Sequence, residues 1–320
     1  MTGKPDDKAL SRLLAGAPNN WGKWGADDEV GALNYLTANE IKAGMAAVRQ
    51  HRTFTLGVPI GTASGDAVFP GRWSARHYMV ADKSGFVAGH WHPLDGGLEF
   101  ADDYVSGFAQ AGTHCDALGH MWYDDTIWNG YSAHTTDGGM KKASIEPVAK
   151  RGVVGRAVLL DLARFRGKAV LDRAETFDHR DLMECARAQG VEIRPRSILL
   201  LRTGWVGALL RGDQKVGDGY WEPGLTFSLD LVRWFDEMQI PCTVTDTLAN
   251  ETTYERNTGI MLVLHGALMR NLGVLFTEMA WLDDLAADCA ADRQYEGFYT
   301  ASPVRVSHGT GGAANPIFIK

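Results

Sequence analysis

GVVGRAVLLD, residues 152–161, answered by SILLLRT at 197–203, decides the fold class. Each is a continuous apolar run of strand length, closed off by Gly, Asp or other polar residues. Neither alternates polar with apolar, so each reads as a strand buried on both faces. Between them, Asp178 to Gln189 reads as a helix stopped at Gly190, a left-handed C-cap position. The alternation continues downstream: a helix over Leu225–Met238, a strand over Pro241–Asp246, a helix over 259–270 and a strand over 273–279, GVLFTEM. Strands alternating with helices predict an α/β fold. No internal repeat or low-complexity linker divides the chain, so one domain is expected over 18–320.

Upstream, TFTLGVPI at 53–60 reads as a strand. A helix begins at Thr37, where Thr37 or Asn39 can cap, Glu40 lies just inside, and Ile41, Met45, Ala46 and Val48 form an apolar face. Residues 19–34, NNWGKWGADDEVGALN, look like an irregular arm, and 1–17 like a flexible start. Residues 61–107, rich in Gly, Asp and aromatics, are expected to form loops around an opening.

Composition narrows the function. The 320 residues are 45% hydrophobic and 22% charged, enough for a large core. A net charge of −7 with no dense Lys/Arg run argues against nucleic acid. The four cysteines, Cys115, Cys185, Cys242 and Cys289, are scattered and form no CxxC pair, so neither a zinc knuckle nor a disulfide framework is indicated. The first residues lack the apolar core of a secretory signal, and no run approaches the roughly 20 apolar residues of a membrane span. A reducing, cytoplasmic setting is expected.

The chemistry centres on QAGTHCDALGH, residues 110–120. On an extended chain His114 and Asp116 share a face, with Cα atoms ~6–7 Å apart, so both side chains can reach one ion. On a helix, positions i and i+2 would diverge. Gln110 shares their parity but would lie ~13 Å from His114 on a straight strand. The chain must therefore bend, and Gly112 allows it. Asp116 and His120 likewise need a turn near Gly119. Neutral imidazole with carboxylate suits zinc or manganese, which brings the pKa of a bound water toward ~7. An unligated His nearby can then move protons, and His120 is the candidate. Cys115, between two ligands, should face away and pack.

Other residues leave two readings open. His265 in MLVLHGALMRNLG and Glu278 in GVLFTEMAW sit in apolar surroundings. Each can be a site group or a satisfied structural one. Asp246 and Glu251 can reach the site from a strand end, or serve as a cap or ion pair. Arg202 can meet a substrate carboxylate or form a structural pair. His77, His90 and His92 read as rim or surface residues. Trp21, Trp24, Trp73, Trp91, Trp122 and Trp128 can line a pocket for a planar ring, though most should be core.

The pattern Gln110-x-Gly112-Thr113-His114-x-Asp116-x-x-x-His120 resembles the H-x-G-T-H-x-D-x-x-x-H motif of the metal-dependent cyclase family. That family includes bacterial kynurenine formamidases, isatin hydrolases and trans-dienelactone hydrolase. Supporting stretches are 19–34, 151–164, 191–205, EPGLTFSLDLVRWF at 222–235 and NPIFI at 315–319, so the resemblance spans about 18–318 and points to the longer branch. It implies a swivelling β/β/α fold with a mixed sheet, assembled as a homodimer or homotetramer. It implies His114 and Asp116 as metal ligands, His120 as the acid/base, and His265 and Glu278 as the groups completing the site, with Glu278 also orienting water. Gln110 departs from the pattern, standing where well-studied members carry a ligand His. It ligates weakly through its amide oxygen or contacts substrate instead, which points to one divalent ion per chain, zinc first and manganese second.

The expected activity is hydrolysis of a small-molecule lactone, dienelactone-like, by metal-activated water. The alternatives are an amide or imide hydrolase of the arylformamidase or isatin type, a ring-forming dehydratase or cyclase, and a binding protein without catalysis.

Overall fold

The computed structural model describes residues 6–62, 65–213 and 221–320. The strands that organise it are β1 (Thr53–Thr55), β2 (Arg76–Ala81), β3 (Asp102–Ser106), β4 (His114–Asp116), β5 (Val153–Asp161), β6 (Ile198–Arg202), β7 (Cys242–Thr245), β8 (Leu275–Glu278), β9 (Glu296–Ala301), β10 (Gly311–Ala313) and β11 (Ile317–Ile319). Nine of them form one mixed sheet in the order β1-β11-β9-β5-β6-β7-β8-β4-β10. The middle four, β5 to β8, run parallel. The flanking pairs are antiparallel on both sides.

The central strands are buried on both faces, as their unbroken apolar runs require. Val158, Leu160, Leu199 and Leu201 join one core cluster, while Ala157, Leu159, Ile198 and Leu200 join another. Successive side chains thus feed opposite layers. Helices His179–Gln189 and Leu229–Glu237 cover the first layer through Leu182, Cys185, Leu231, Val232 and Phe235. Helices Ile145–Arg151 and Asp283–Asp292 contribute Ile145, Val148, Leu285 and Cys289 to the second. Each fully buried Leu, Ile or Val contributes about 1.5–3 kcal/mol.

Local signals place the helices well. Helix Ala38–Ala47 starts at Thr37 with a reciprocal capping box to Glu40. Helix His179–Gln189 starts at Asp178 and ends at Gly190 with φ +71. Other boundaries move for identifiable reasons. The strand expected over 53–60 pairs only at 53–55; beyond it, Gly57 N–H turns to the Asn315 side chain at 3.1 Å. The helix expected from Leu225 begins at Leu229, because Ser228 caps it while Leu225 pairs with Phe177. The helix expected over 259–270 is instead a short strand, Ile260–Met261, followed by a π-helical segment, His265–Asn271. The Glu251 carboxylate accepts the Leu264 and His265 N–H groups at 2.7 and 2.8 Å, which fixes the start there.

Residues 6–17, within the start expected to be flexible, include a short helix. Helix Ala9–Leu13 lays Leu10 and Leu13 on the core, and Leu14 is buried. Residues 1–5 lie outside the described residues. The arm at 19–34 is irregular but pinned: Asn20 N–H donates to Asn271 O at 2.9 Å and Ala32 N–H to Gly273 O at 2.8 Å. Residues 61–107 hold more than loops. β2 and β3 form an antiparallel ladder of their own, apart from the main sheet, joined through a short helix, Lys83–Val87.

Candidate metal centre

β4 brings the motif into the sheet. It lies between β8 and β10, with His114 opposite Glu278 on one side and Ala313 on the other. Residues directly opposite in an antiparallel pair share a face. His114, Asp116 and Glu278 therefore converge, while Cys115 points the other way, into the core beside Thr277 at 3.3 Å. Burial pushes the Cys115 thiol up to about 12, so it packs rather than reacts. The bend upstream falls at Gly112, with φ +60, and its N–H bonds Ala67 O at 3.0 Å. Thr113 locks the entry by donating to Met279 O at 2.6 Å while accepting from Val58 N–H at 3.0 Å. The downstream turn closes with His120 N–H on Ala117 O at 2.9 Å.

Hydrogen bonding fixes how the two imidazoles are presented. His114 Nδ1 lies 2.8 Å from Gly112 O. A carbonyl only accepts, so Nδ1 carries the proton and neutral His114 offers a lone pair at Nε2. That Nε2 lies 3.6 Å from Asp116 Oδ1 and 3.4 Å from Glu278 Oε2. His265 repeats the arrangement. Its Nδ1 donates to Glu251 Oε1 at 2.7 Å, and Nε2 lies 3.9 Å from Asp116 Oδ2 and 3.6 Å from Glu278 Oε1. Two imidazole nitrogens and two carboxylates thus turn lone pairs toward one another. His114 Nε2 and Asp116 Oδ1 are buried without a hydrogen bond. Buried acceptors left unpaired are costly, and a cation between them removes the conflict. His114, Asp116 and Glu278 each offer a ligand atom within 4.8 Å of the others. This nitrogen-and-oxygen set fits a zinc or manganese ion.

The electrostatics agree. Burial opposes the charge on Asp116, but His120, His114, His265 and Arg72 outweigh it and hold the carboxyl below its ordinary value. Burial and the Asp116 charge push Glu278 up. His114 is raised, because Glu278 and Asp116 outweigh its burial. His120 sits 3.9 Å from Asp116 and is lowered, chiefly by burial, so it stays neutral near pH 7. Burial pushes Glu251 up, against the pull of His265.

Gln110 is buried at the edge of this group. Its amide nitrogen donates one N–H to Thr310 Oγ1 at 2.9 Å, and its amide oxygen is the side chain's one acceptor.

The Cyclase family model matches residues 35–252, more than half of the chain. The chain belongs to the Cyclase family. A novel cyclase of known crystal structure is 35% identical, with a TM-score of 0.84 over 95% of this chain and all of that one. Isatin hydrolase A from Labrenzia aggregata, bound to benzyl benzoate, is 17% identical with a TM-score of 0.55, over 88% of this chain and 97% of that one. Isatin hydrolase A from Ralstonia solanacearum is 15% identical with a TM-score of 0.57, over 84% and 92%. No protein with a curated description matches. In this Cyclase chain the family match stops short of His265 and Glu278, so the fold, not the matched segment, brings those two to the motif.

Structure separates the remaining alternatives. Glu251 meets the site through His265. Asp246 is a cap, accepting Thr203 and Gly204 N–H at 2.8 and 2.6 Å. Arg202 is a structural pair, 2.8 Å from both Asp161 and Asp283. His77 pairs with Asp103 on the surface, and His90 and His92 are exposed. Trp128 is core; Trp21 and Trp24 pack against it, while Trp73, Trp91 and Trp122 are exposed. Arg72, which sequence reasoning missed, donates to the backbone carbonyl of Gln110 at 3.2 Å. Its only sequence cue is the Pro70–Gly71 turn signal before it.

Proposed function

We propose that this chain is a metal-dependent hydrolase that opens a ring ester or amide bond in a small molecule. The observation that carries this is the convergence of His114, Asp116, Glu278 and His265 with their acceptor atoms inward, His114 Nε2 and Asp116 Oδ1 being left without a hydrogen bond and only the Asn250 amide reaching Glu278 Oε1, at 3.3 Å. These four residues would hold one divalent ion, zinc or manganese, with the Gln110 amide oxygen as a weaker fifth ligand or a substrate contact. When bound, the ion supplies the Lewis acidity that polarises a carbonyl and acidifies water. His120 is neutral and 18% exposed at its side chain, so it can take a proton from water and return it to the leaving group. Glu278 orients the water from the opposite strand. Glu251 holds the His265 ring so that Nε2 faces the site.

A lactone is the leading substrate, because Gln110 and the longer chain set this protein apart from the formamidase pattern. A cyclic amide is the second reading, supported by the fold shared with isatin hydrolases. The test is chelation followed by zinc or manganese rescue against a panel of lactones, formanilides and cyclic imides. Rescue on lactones supports the lead, and rescue on imides alone supports the second. Ligand binding without turnover of any member would make the chain a binding protein. Net ring formation would make it a cyclase in the direct sense.

The expected homodimer or homotetramer is supported by the β2–β3 excursion. A two-stranded ladder is marginal alone, and this one exposes Tyr78, Met79, Val80, Val87, Leu98 and Tyr104. Sedimentation showing a monomer at micromolar concentration would remove that proposal. Four free, buried thiols support the cytoplasmic expectation. Among the described residues no helix is long and apolar enough to cross a membrane.

A further inference from the structure

We propose that Asn250 is a positioning residue for the metal centre: its side-chain amide holds the Glu278 carboxylate at the rotation that presents it to His114 and His265. The inference rests on the metal-site reading for what the carboxylate binds, but not for what holds it in place.

Asn250 Nδ2 lies 3.3 Å from Glu278 Oε1 and 3.4 Å from Thr277 O, both on β8. A carboxylate and a carbonyl only accept, so the NH2 end faces them. Glu278 divides its own two oxygens. Oε1 is 3.6 Å from His265 Nε2, and Oε2 is 3.4 Å from His114 Nε2. The last torsion of a Glu side chain has a broad, soft profile and does not set itself. A donor on Oε1 sets it, and leaves Oε2 clear toward His114. The next residue serves the neighbouring group in the same way, since Glu251 Oε1 takes the His265 Nδ1–H at 2.7 Å. One dipeptide, Asn250-Glu251, thus orients both site groups that come from the second half of the chain.

That dipeptide is itself seated on EPGLT, residues 222–226. Leu225 N–H donates to Asn250 O at 3.3 Å, Thr252 N–H to Leu225 O at 3.0 Å, and Thr253 N–H to the buried Glu222 carboxylate at 2.8 Å. Gly224 permits the close approach, because a Cβ there would run into the Glu251 backbone. Asn250 sits at φ +58, a conformation that Gly or Asn adopts most readily. A turn alone would be served by glycine. Asn250 instead carries a fully buried amide whose Oδ1 has no hydrogen-bond partner among the described residues. A buried acceptor left unpaired is costly. The donor end, on Glu278 and Thr277, is where this amide does something that glycine would not.

The test measures zinc affinity, by competition with a chromophoric chelator, in wild type, Asn250→Gly, Glu278→Ala and the double variant. Glycine keeps the backbone at φ +58 and removes only the amide. The bond lost, at 3.3 Å, is longer than the usual ~2.9–3.0 Å, so the loss should fall near the low end for an outer partner of a ligand, about tenfold. In the Glu278→Ala background the same substitution should change affinity by less than about twofold, because no carboxylate remains to be held. Crystals of metal-free Asn250→Gly should show the Glu278 carboxylate rotated from its wild-type place, with the backbone of 249–251 unmoved. Asn250→Ser, which also lacks the amide, takes the same readings if the glycine variant does not fold. Equal zinc affinity in wild type and Asn250→Gly, an equal loss in both backgrounds, or an unmoved carboxylate overturns the proposal. Wild type that takes up neither zinc nor manganese removes the metal centre instead, and the place of the carboxylate in metal-free Asn250→Gly then still decides what Asn250 does.

Discussion

Glu251→Gln swaps an oxygen for an NH2 at a carboxylate that accepts three N–H groups. Oε1 takes His265 N–H at 2.8 Å and His265 Nδ1–H at 2.7 Å, and Oε2 takes Leu264 N–H at 2.7 Å. The amide keeps one acceptor, which can serve His265. Its NH2 then faces the Leu264 N–H, donor to donor, in a buried place. One orphaned backbone donor costs about 1–3 kcal/mol, and weakening the two charged bonds adds about 1 kcal/mol. For 320 residues the unfolding entropy is roughly 0.7 kcal/mol/K, so a loss of about 2–4 kcal/mol lowers Tm by about 3–6 °C. A generic buried defect would do as much. The distinguishing effect is on the ion: loosening the His265 ring should weaken metal affinity about 10–100-fold. Competition with a chromophoric chelator measures this, and nitrogen-15 shifts of His265 report whether Nδ1 still holds the proton. Unchanged affinity and tautomer beside the lower Tm would refute the orienting role and leave Glu251 as a helix cap.

Three further outcomes follow from the same geometry. Chelation should lower Tm by about 4 °C relative to protein at a metal concentration of 100 Kd, because binding there is worth about 2.7 kcal/mol; differential scanning fluorimetry with zinc or manganese add-back checks it, and no shift would mean no ion site. His120→Ala should cut turnover by about 10²–10⁴ with metal content intact by elemental analysis, since it removes the proton carrier and no proposed ligand. Gly273→Ala should destabilise by about 2–4 kcal/mol in denaturant unfolding: φ there is +73, and a Cβ would meet Trp128 Cη2 at 2.7 Å and Gly31 Cα at 2.8 Å, two neighbours that cannot both yield.

What the sequence made legible was what short-range chemistry controls. The Thr37–Glu40 box, the Asp178 cap and Gly190 stop, and the two-sided burial of 153–161 all appear where propensity and patterning put them. The convergence of His114 with Asp116, and the bend at Gly112, also follow from spacing alone. Legibility failed where distant segments decide. Glu251 lies 14 residues from His265, and only the intervening turn tells an orienting carboxylate from a cap. The π-helical winding at 265–271 has no periodic signature that separates it from an α-helix. Arg72 meets the Gln110 backbone carbonyl where 68 bridges 111, a pairing with no local cue. The three-residue strands 311–313 and 317–319 are too short for periodicity to register.

His114 and Glu278 face each other across neighbouring strands although 164 residues separate them. A nascent chain carries the whole motif long before it owns a cavity. Until β8 is made and slots between β7 and β4, the two candidate ligands on a short strand have nothing opposite them to enclose an ion. On the ligand set proposed above, metal loading follows the making of β8, and a fragment truncated ahead of residue 278 is predicted to carry the complete motif yet bind no metal tightly.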